Sequence, residues 1–446
     1  MFTIISKKIK IQALIFNAVL SFCLFFMFDT SSANSAETKK IMDQFFFGVG
    51  MHLGQQWNKT YKSPQDVKSI LSDLSVNATR DDLPWGILDA HSQDDLPNAI
   101  GKMGDGLDII SARPVIILKG DPKELPGIQP TSEAEREKYT NMAQHAATLL
   151  KNYNPIFEIW NEWNLKVREN TQLGSVEQYL ELVKAAYPAI KKEIPNGTVL
   201  VGGAGDDKNW RWILKAIEMG LMDYGDGISV HPYNYCSRLS PRTGWNVLYS
   251  VKTLHRELKK AYPDKDILIY ITEIGWPDTD GECGGVSLDI IAENVAQILL
   301  EAPALPWLKG IWIYELLDQG TDPTDREDHF GLYDYNKNKK PAACAAKTVW
   351  QFIDETTSPK IQNPYWKANF AIYDLNKETK RVAIWDMATT TIPRWVKFPA
   401  TTKFTSLCGR SIPKTETWYK MESAPILAEI PSVDLSLIKF KQAIIP

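Results

Sequence analysis

Between residues 45 and 318 the chain repeats one pattern eight times: a short apolar run ending in polar or aromatic residues, then a stretch of helical periodicity. The runs begin near Phe45 (FFFGVGMH), Val76 (VNATR), Pro114 (PVIILKG), Ile156 (IFEIWNEWN), Thr198 (TVLVGG), Ile228 (ISVHPYNY), Ile267 (ILIYITEIGW) and Lys309 (KGIWIYELLD). Unbroken Val/Ile/Leu runs belong to strands buried on both faces, and so to a parallel sheet with helical crossovers. Helix signals fill the gaps. Ser63-Pro64 supplies a cap and a first-turn proline, and Ser175 with Gln178 forms a capping box. Further helices are expected at 132–151, 209–222, 247–261, 287–302 and 341–354, with a weaker one around 94–104. Eight such units over residues 37–355 predict an α/β fold, a (β/α)8 TIM barrel. The alternative is a doubly wound open sheet, which calls for a Gly-rich phosphate turn after an early strand. Here Gly202-Gly203-Ala204-Gly205 follows the fifth strand without that spacing and reads as a tight turn at a barrel rim.

Both ends of the chain differ in texture from the repeats. Lys7, Lys8 and Lys10 precede a nearly unbroken apolar run over 11–28 and a small-residue stretch over 31–36, which reads as a signal peptide covering 1–36. An uncleaved N-terminal anchor is the alternative. Residues 356–368 are Pro- and polar-rich and are expected to be a linker. From 369 to 446 the segments NFAIYDL, RVAIWDM, RWVKF, KFTSL, TWYKM and LSLIKF alternate as strands do, predicting a small C-terminal antiparallel β-sandwich domain against the barrel side.

Charge and cysteine usage narrow the partners. The net charge is −4 with the signs interspersed, so no basic stripe offers the phosphate-neutralising surface of a nucleic-acid binder. The six His are scattered and no Cys pair has zinc-ligand spacing, so neither a metal nor a cofactor is expected. Cys236 follows the sixth strand and Cys283 the seventh, which places them in adjacent loops of one barrel face and predicts a disulfide. Cys344 and Cys408 stay unassigned.

A barrel of this kind builds its site at the C-terminal strand ends. Those ends carry His52, Arg80 with Asp81, Lys119, Asn161 with Glu162, His231 with Tyr233, Glu273 with Trp276, and Trp312 with Glu315. Glu162 and Glu273 stand out as acids placed where the fourth and seventh apolar strands emerge, across the barrel mouth from each other. Cleaving a glycosidic bond needs one acid to protonate the departing oxygen and one carboxylate on the other side of the anomeric carbon. Trp85, Trp163, Trp276 and Trp312 would offer flat faces to sugar rings, although any single Trp reads more readily as core packing. Asp81, Asp82, Glu158, Glu315 and Asp318 are rival acids. Glu158 shares the side of Glu162 four residues earlier and reads as a buried, paired acid deeper in the barrel, and Glu315 as a ligand for substrate hydroxyls.

The strand-end segments WNEWN (160–164), HPYNY (231–235), ITEIGWP (271–277) and IWIYEL (311–316) resemble the clan A retaining β-glycosidases. Within that clan they are most similar to glycoside hydrolase family 39 and its relatives that cut bacterial exopolysaccharides. The resemblance implies Glu162 as acid/base and Glu273 as nucleophile. It further implies Asn161 on the sugar 2-hydroxyl, Arg80 keeping Glu273 ionised, and His231 and Tyr233 holding the nucleophile and the sugar. Trp312 is expected to floor the subsite on the non-reducing side, and Trp163 to give Glu162 an apolar wall. The two catalytic carboxyls should then lie about 5–5.5 Å apart. The function expected is a secreted, monomeric glycoside hydrolase acting inside a polysaccharide or oligosaccharide chain, with xylan, glucan and mannan as other substrates. A transglycosylase on the same residues and a non-catalytic polysaccharide-binding barrel are the competing readings.

Overall fold

The computed structural model describes residues 40–52, 64–84, 112–119, 129–165, 173–205, 207–238, 241–279, 281, 283–357, 359–365, 368–387, 392–413 and 417–443. The predicted signal, Trp85, Ser63 and the weak helix around 94–104 lie outside them. Eight parallel strands close into a barrel in sequence order: β1 (Phe46–Gly50), β2 (Ala78–Pro84), β3 (Arg113–Lys119), β4 (Ile156–Ile159), β5 (Thr198–Gly205), β6 (Gly227–His231), β7 (Ile269–Ile274) and β8 (Leu308–Ile313). β8 pairs with β1 to complete the ring. Each strand starts within two residues of its expected position.

Seven α-helices are described: α1 (Pro64–Leu74), α2 (Glu133–Leu150), α3 (Val176–Glu193), α4 (Arg211–Glu218), α5 (Gly244–Ala261), α6 (Leu288–Glu301) and α7 (Pro341–Ile353). The Ser175–Gln178 capping box forms at α3, and a second box, Ser132 with Glu135, opens α2. None of the described helices is long and apolar enough to cross a membrane.

The period of two along each strand sorts the barrel interior into layers. Ala78, Val115, Ile156, Leu200, Tyr270 and Trp312 form a separate apolar cluster low in the barrel. Two residues further along the same strands come Arg80, Glu158 and Thr272, all buried and polar. The floor of the site is thus a charged layer standing on an apolar one, placed by strand alternation alone.

Beyond the barrel, two antiparallel sheets pack face to face. One has the order β14-β13-β16-β11-β10-β9 and the other β15-β12-β17. Their strands are β9 (Lys360–Tyr365), β10 (Ala368–Asp374), β11 (Thr379–Asp386), β12 (Arg394–Lys397), β13 (Lys403–Thr405), β14 (Ser411–Ile412), β15 (Tyr419–Lys420), β16 (Ile426–Pro431) and β17 (Lys439–Gln442). Ala368, Phe370 and Ile372 of β10 enter the sandwich core with Val396, Phe398 and Phe404. The alternate residues Asn369 and Tyr373 reach the barrel helices: Asn369 donates to Glu301 (3.0 Å) and Tyr373 to the Leu300 carbonyl. Cys344 on α7 is bonded to Cys408 after β13, with Cα atoms 4.9 Å apart, adding a covalent tie across the same contact.

Two expectations need correction here. The stretch 356–368 is not purely a linker, because β9 within it forms the edge of the six-stranded sheet. An edge position accounts for its polar residues and Pro364, since an outer strand leaves some backbone groups unpaired and tolerates proline. The first half of the segment LSLIKF belongs to a 3-10 helix over Ser432–Leu437, and only its end enters β17.

Candidate active site

Arg80, inward-facing on β2, organises the barrel mouth. Its Nε donates to Glu158 (2.8 Å), one Nη to Glu273 (2.5 Å) and the other to Asn161 Oδ1 (2.8 Å). Burial opposes its charge, but the carboxylates of Glu158 and Glu273 outweigh it and raise its pKa, so Arg80 stays cationic. Replacing it with methionine would leave two acids buried without their cation. Arg80→Met should therefore cost about 3–5 kcal/mol of stability, read as a lowered Tm.

Glu273, near the end of β7, receives a second hydrogen bond from Tyr233 Oη at 2.9 Å. Burial alone would raise its pKa. The charges of His231 and Arg80, with the hydrogen bonds from Arg80 and Tyr233, reverse that and hold it down at about 2. Glu273 is therefore an anion throughout the neutral range. Tyr233 is pushed the other way, first by burial and then by the Glu273 charge, and remains a hydrogen-bond donor.

His231 connects the two acids. Its Nδ1 lies 3.0 Å from Glu162 Oε1 and 3.5 Å from Glu273 Oε2, and its Nε2 lies 3.1 Å from Thr272 Oγ1. Thr272 spends its own hydroxyl proton on Glu158 (2.9 Å), so it accepts from His231 Nε2–H. Burial lowers the pKa of His231, but the charge of Glu273 and the hydrogen bond to Glu162 raise it by more. One carboxylate oxygen each of Glu162 and Glu273 and one ring nitrogen of His231 all lie within 4.8 Å of one another.

Glu162 reaches this position through a sharp turn at the end of β4. Trp160 and Glu162 both take left-handed backbone conformations, φ 67° and 50°, and the Glu162 N–H donates to the Gly203 carbonyl at 2.8 Å. The glycine-rich segment of β5 receives that turn. Its register with β6 shifts between Val201 and Ala204, and a Cβ on Gly205 would stand 2.1 Å from Glu162 Oε1 and 2.8 Å from Leu165 Cδ1. Only a glycine leaves room there for the carboxyl. Gly205→Ala should push the Glu162 carboxyl aside, a flexible end that moves at small cost in stability. Turnover should fall by about 10²-fold, the low end of what a general acid contributes, while Tm barely changes.

A second polar group lies at the ends of β1, β2, β3 and β8. His52 Nδ1 is 2.7 Å from Asp82 Oδ2, and Lys119 Nζ is 3.6 Å from Asp82 Oδ1. Burial works against a charged His52, yet Asp82, Glu315 and Asp81 together raise its pKa to about 9. Glu315 accepts from Gln319 (3.0 Å) and is pushed by burial up to about 8, against the pull of His52 and Gln319.

These groups open into a cleft of about 920 Å3 lined by His52, Asn161, Glu162, His231, Tyr233 and Glu273, with Tyr314 and Trp210 on its walls. The disulfide predicted between Cys236 and Cys283 is present, with Cα atoms 5.0 Å apart, and both cysteines line the rim. Three tryptophans are placed differently from expectation. Trp312 is wholly buried, its indole donating to the Thr79 carbonyl (3.2 Å) and filling the space above Gly48, where a Cβ would come within 2.2 Å of the ring. It stands one layer too low to floor a subsite. Trp276 is buried and donates to Asn234 (2.7 Å), which pins the loop after β6. Trp163 packs between Trp160 and Tyr179 behind the turn. Of the rival acids, Glu158 is the deep paired acid anticipated, Asp81 accepts from the Asp82 N–H, and Asp318 is bound to Lys340.

The family model of the cellulases, glycosyl hydrolase family 5, matches residues 44–300. The chain belongs to that family. Solved structures show the same fold for this family 5 protein. It superposes on a family 39 glycoside hydrolase from the gut symbiont Bacteroides cellulosilyticus WH2 with a TM-score of 0.66 at 20% identity, covering 87% of this chain and 81% of that one. A monomeric β-xylosidase from Caulobacter crescentus CB15 gives 0.53 at 14%, over 87% and 96%. A family 5 (subfamily 18) structure from Streptomyces cattleya in complex with GlcNAc gives 0.54 at 14%, over 69% and 80%. No curated protein matches the chain. The expected relation to clan A barrel glycosidases, family 39-like in structure, therefore holds, and the protein is a glycoside hydrolase.

Proposed function

We propose that this family 5 hydrolase is an exported, monomeric endo-glycosidase that retains configuration, with Glu273 as nucleophile and Glu162 as acid/base, acting on an exopolysaccharide or related β-glycan. The observation that carries the reading is the approach of the two carboxylates to within 4.8 Å around His231. A double displacement needs carboxyls about 5–5.5 Å apart, whereas an inverting enzyme keeps roughly 6.5–9.5 Å for a water molecule.

In the first step ionised Glu273, held by Arg80 and Tyr233, attacks the anomeric carbon. The glycosidic C–O bond breaks, and Glu162 gives its proton to the departing oxygen. The charge of Glu273 is then consumed in a covalent glycosyl ester. Glu162, now a carboxylate, takes a proton from water, which attacks the anomeric carbon and releases Glu273. Asn161, fixed by Arg80, is in place for the 2-hydroxyl. Among the described residues His52 Nε2 has no hydrogen-bond partner, and it lies 3.8 Å from Glu315 Oε2, a gap that a sugar hydroxyl would fill.

Internal cleavage draws support from the size of the cleft, about 920 Å3, whose lining extends beyond the two acids to Lys119, Trp210, Arg238 and Arg326. Export draws support from the Lys-flanked apolar run over 11–28 and from two disulfides, which persist in oxidising compartments. The test is incubation with acidic and neutral exopolysaccharides, xylan, glucan and mannan, followed by sizing. A ladder of oligosaccharides from one polymer supports the reading. Monosaccharide alone would make the enzyme exo-acting, and no product from any glycan would favour a non-catalytic binding barrel.

A further inference from the structure

The solvent face of the three-stranded sheet has a composition that the catalytic reading does not explain. Its middle strand, β12, pairs with β15 and β17 so that Trp395 lies opposite both Lys420 and Lys441, while Lys397 lies opposite Lys439. The intervening residues Val396, Tyr419 and Phe440 turn inward to the sandwich core. Alternation therefore sends Trp395, Lys397, Lys420, Lys439 and Lys441 to the outer face, together with Trp418 beside the start of β15. Lys441 Nζ lies 4.3 Å from the Trp418 ring centroid and 5.2 Å from that of Trp395, so the two indoles flank one ammonium.

Within a chain of net charge −4 this face is a local reversal. Lys420 has Glu422 as a partner. Among the described residues no carboxylate pairs with Lys397, Lys439 or Lys441. Lys397 opposite Lys439 is a directly facing like-charge pair, which costs the sheet stability and finds no carboxylate to offset it among the described residues. An anion from outside would supply it.

We propose that this face is a non-catalytic binding surface for an anionic polysaccharide carrying uronic-acid carboxylates. Trp395 and Trp418 offer partly exposed indoles to the apolar faces of sugar rings, and the lysines answer the carboxylates. An anionic lipid surface would also attract lysines, but membrane seating requires protruding apolar side chains, and on this sheet face the indoles are half-buried while the exposed groups are lysines. The surface would hold the hydrolase on a charged polymer and acts independently of the identity of the catalytic acids.

The test is affinity electrophoresis of the whole protein through gels containing polygalacturonate, neutral dextran or no polymer, alongside sedimentation with vesicles of phosphatidylserine and phosphatidylcholine. The expected result is retardation by polygalacturonate alone, relieved in about 0.5 M NaCl, where the Debye length is only a few ångströms. Lys397→Glu with Lys439→Glu, and separately Trp418→Ala, should each weaken binding about tenfold or more. Both variants should keep wild-type activity on a small aryl glycoside, and that activity reports that they are folded. Failure of the wild type to be retarded by polygalacturonate, equal retardation by dextran, unchanged binding in both variants, or capture by the vesicles without retardation would each overturn the proposal.

Discussion

Glu273→Ala should reduce hydrolysis of every substrate by roughly 10 000-fold or more, whatever the leaving group, because no covalent intermediate can form without the attacking carboxylate. The fold should survive, since Arg80 keeps its bonds to Glu158 and Asn161. Glu273→Gln preserves a hydrogen-bond acceptor for Arg80 and should be equally inactive, which separates lost nucleophilicity from lost packing. Steady-state rates on an aryl glycoside and on the natural polymer, with a thermal melt of each variant, check this. Activity within tenfold of wild type in both variants would remove Glu273 from the mechanism.

Glu162→Ala should behave differently according to the leaving group. A sugar alkoxide cannot depart unprotonated, so turnover of the glycan should fall by about 10²–10⁴-fold, the usual worth of a general acid. A dinitrophenolate leaves unaided, so with that substrate the first step should persist as a burst of released phenol equal to the enzyme present. Turnover should then stall at the ester, where water lacks its base. Stopped-flow absorbance resolves the burst from the slow steady state. A burst slowed as much as turnover of the glycan would mean that Glu162 only positions the sugar.

Much of this site was legible because strand ends in a barrel have one destination. The Asn161-Glu162 pair and Glu273 interrupt apolar runs at points that topology forces into one mouth, and Arg80, His231 and Tyr233 follow the same logic. The place of Trp312 was not legible. In strands buried on both faces the apolar pattern carries no inside-outside alternation, and only the facing Gly48 and Gly310, which leave room for an indole, betray its direction. The purpose of Gly202-Gly203-Ala204-Gly205 was also hidden, because the left-handed turn it receives belongs to a different strand, β4.

The charged layer was partly visible. Glu158 declared itself by its spacing from Glu162, whereas the pairing of Asp82 with His52 and Lys119 joins three strands and leaves no local trace. In the β domain, polar edge strands such as β9 read as connectors because their exposed side chains lack the alternation of a half-buried strand. Cys344 and Cys408 lie on a helix and in a distant loop, so their bond depends on how the sandwich docks against α7, which no spacing encodes.

The account turns on which carboxylate bonds to the sugar, and the anomeric configuration of azide-rescue products tests it most directly. In the Glu162→Ala variant azide replaces water at the glycosyl ester of Glu273, so two inversions should give a β-glycosyl azide from a β-aryl glycoside. In the Glu273→Ala variant azide occupies the space of the missing nucleophile and attacks once, giving the α-azide. Proton NMR of the two products distinguishes them by the coupling at the anomeric carbon. A β product from Glu162→Ala and an α product from Glu273→Ala is the result predicted, and the same anomer from both variants would contradict it.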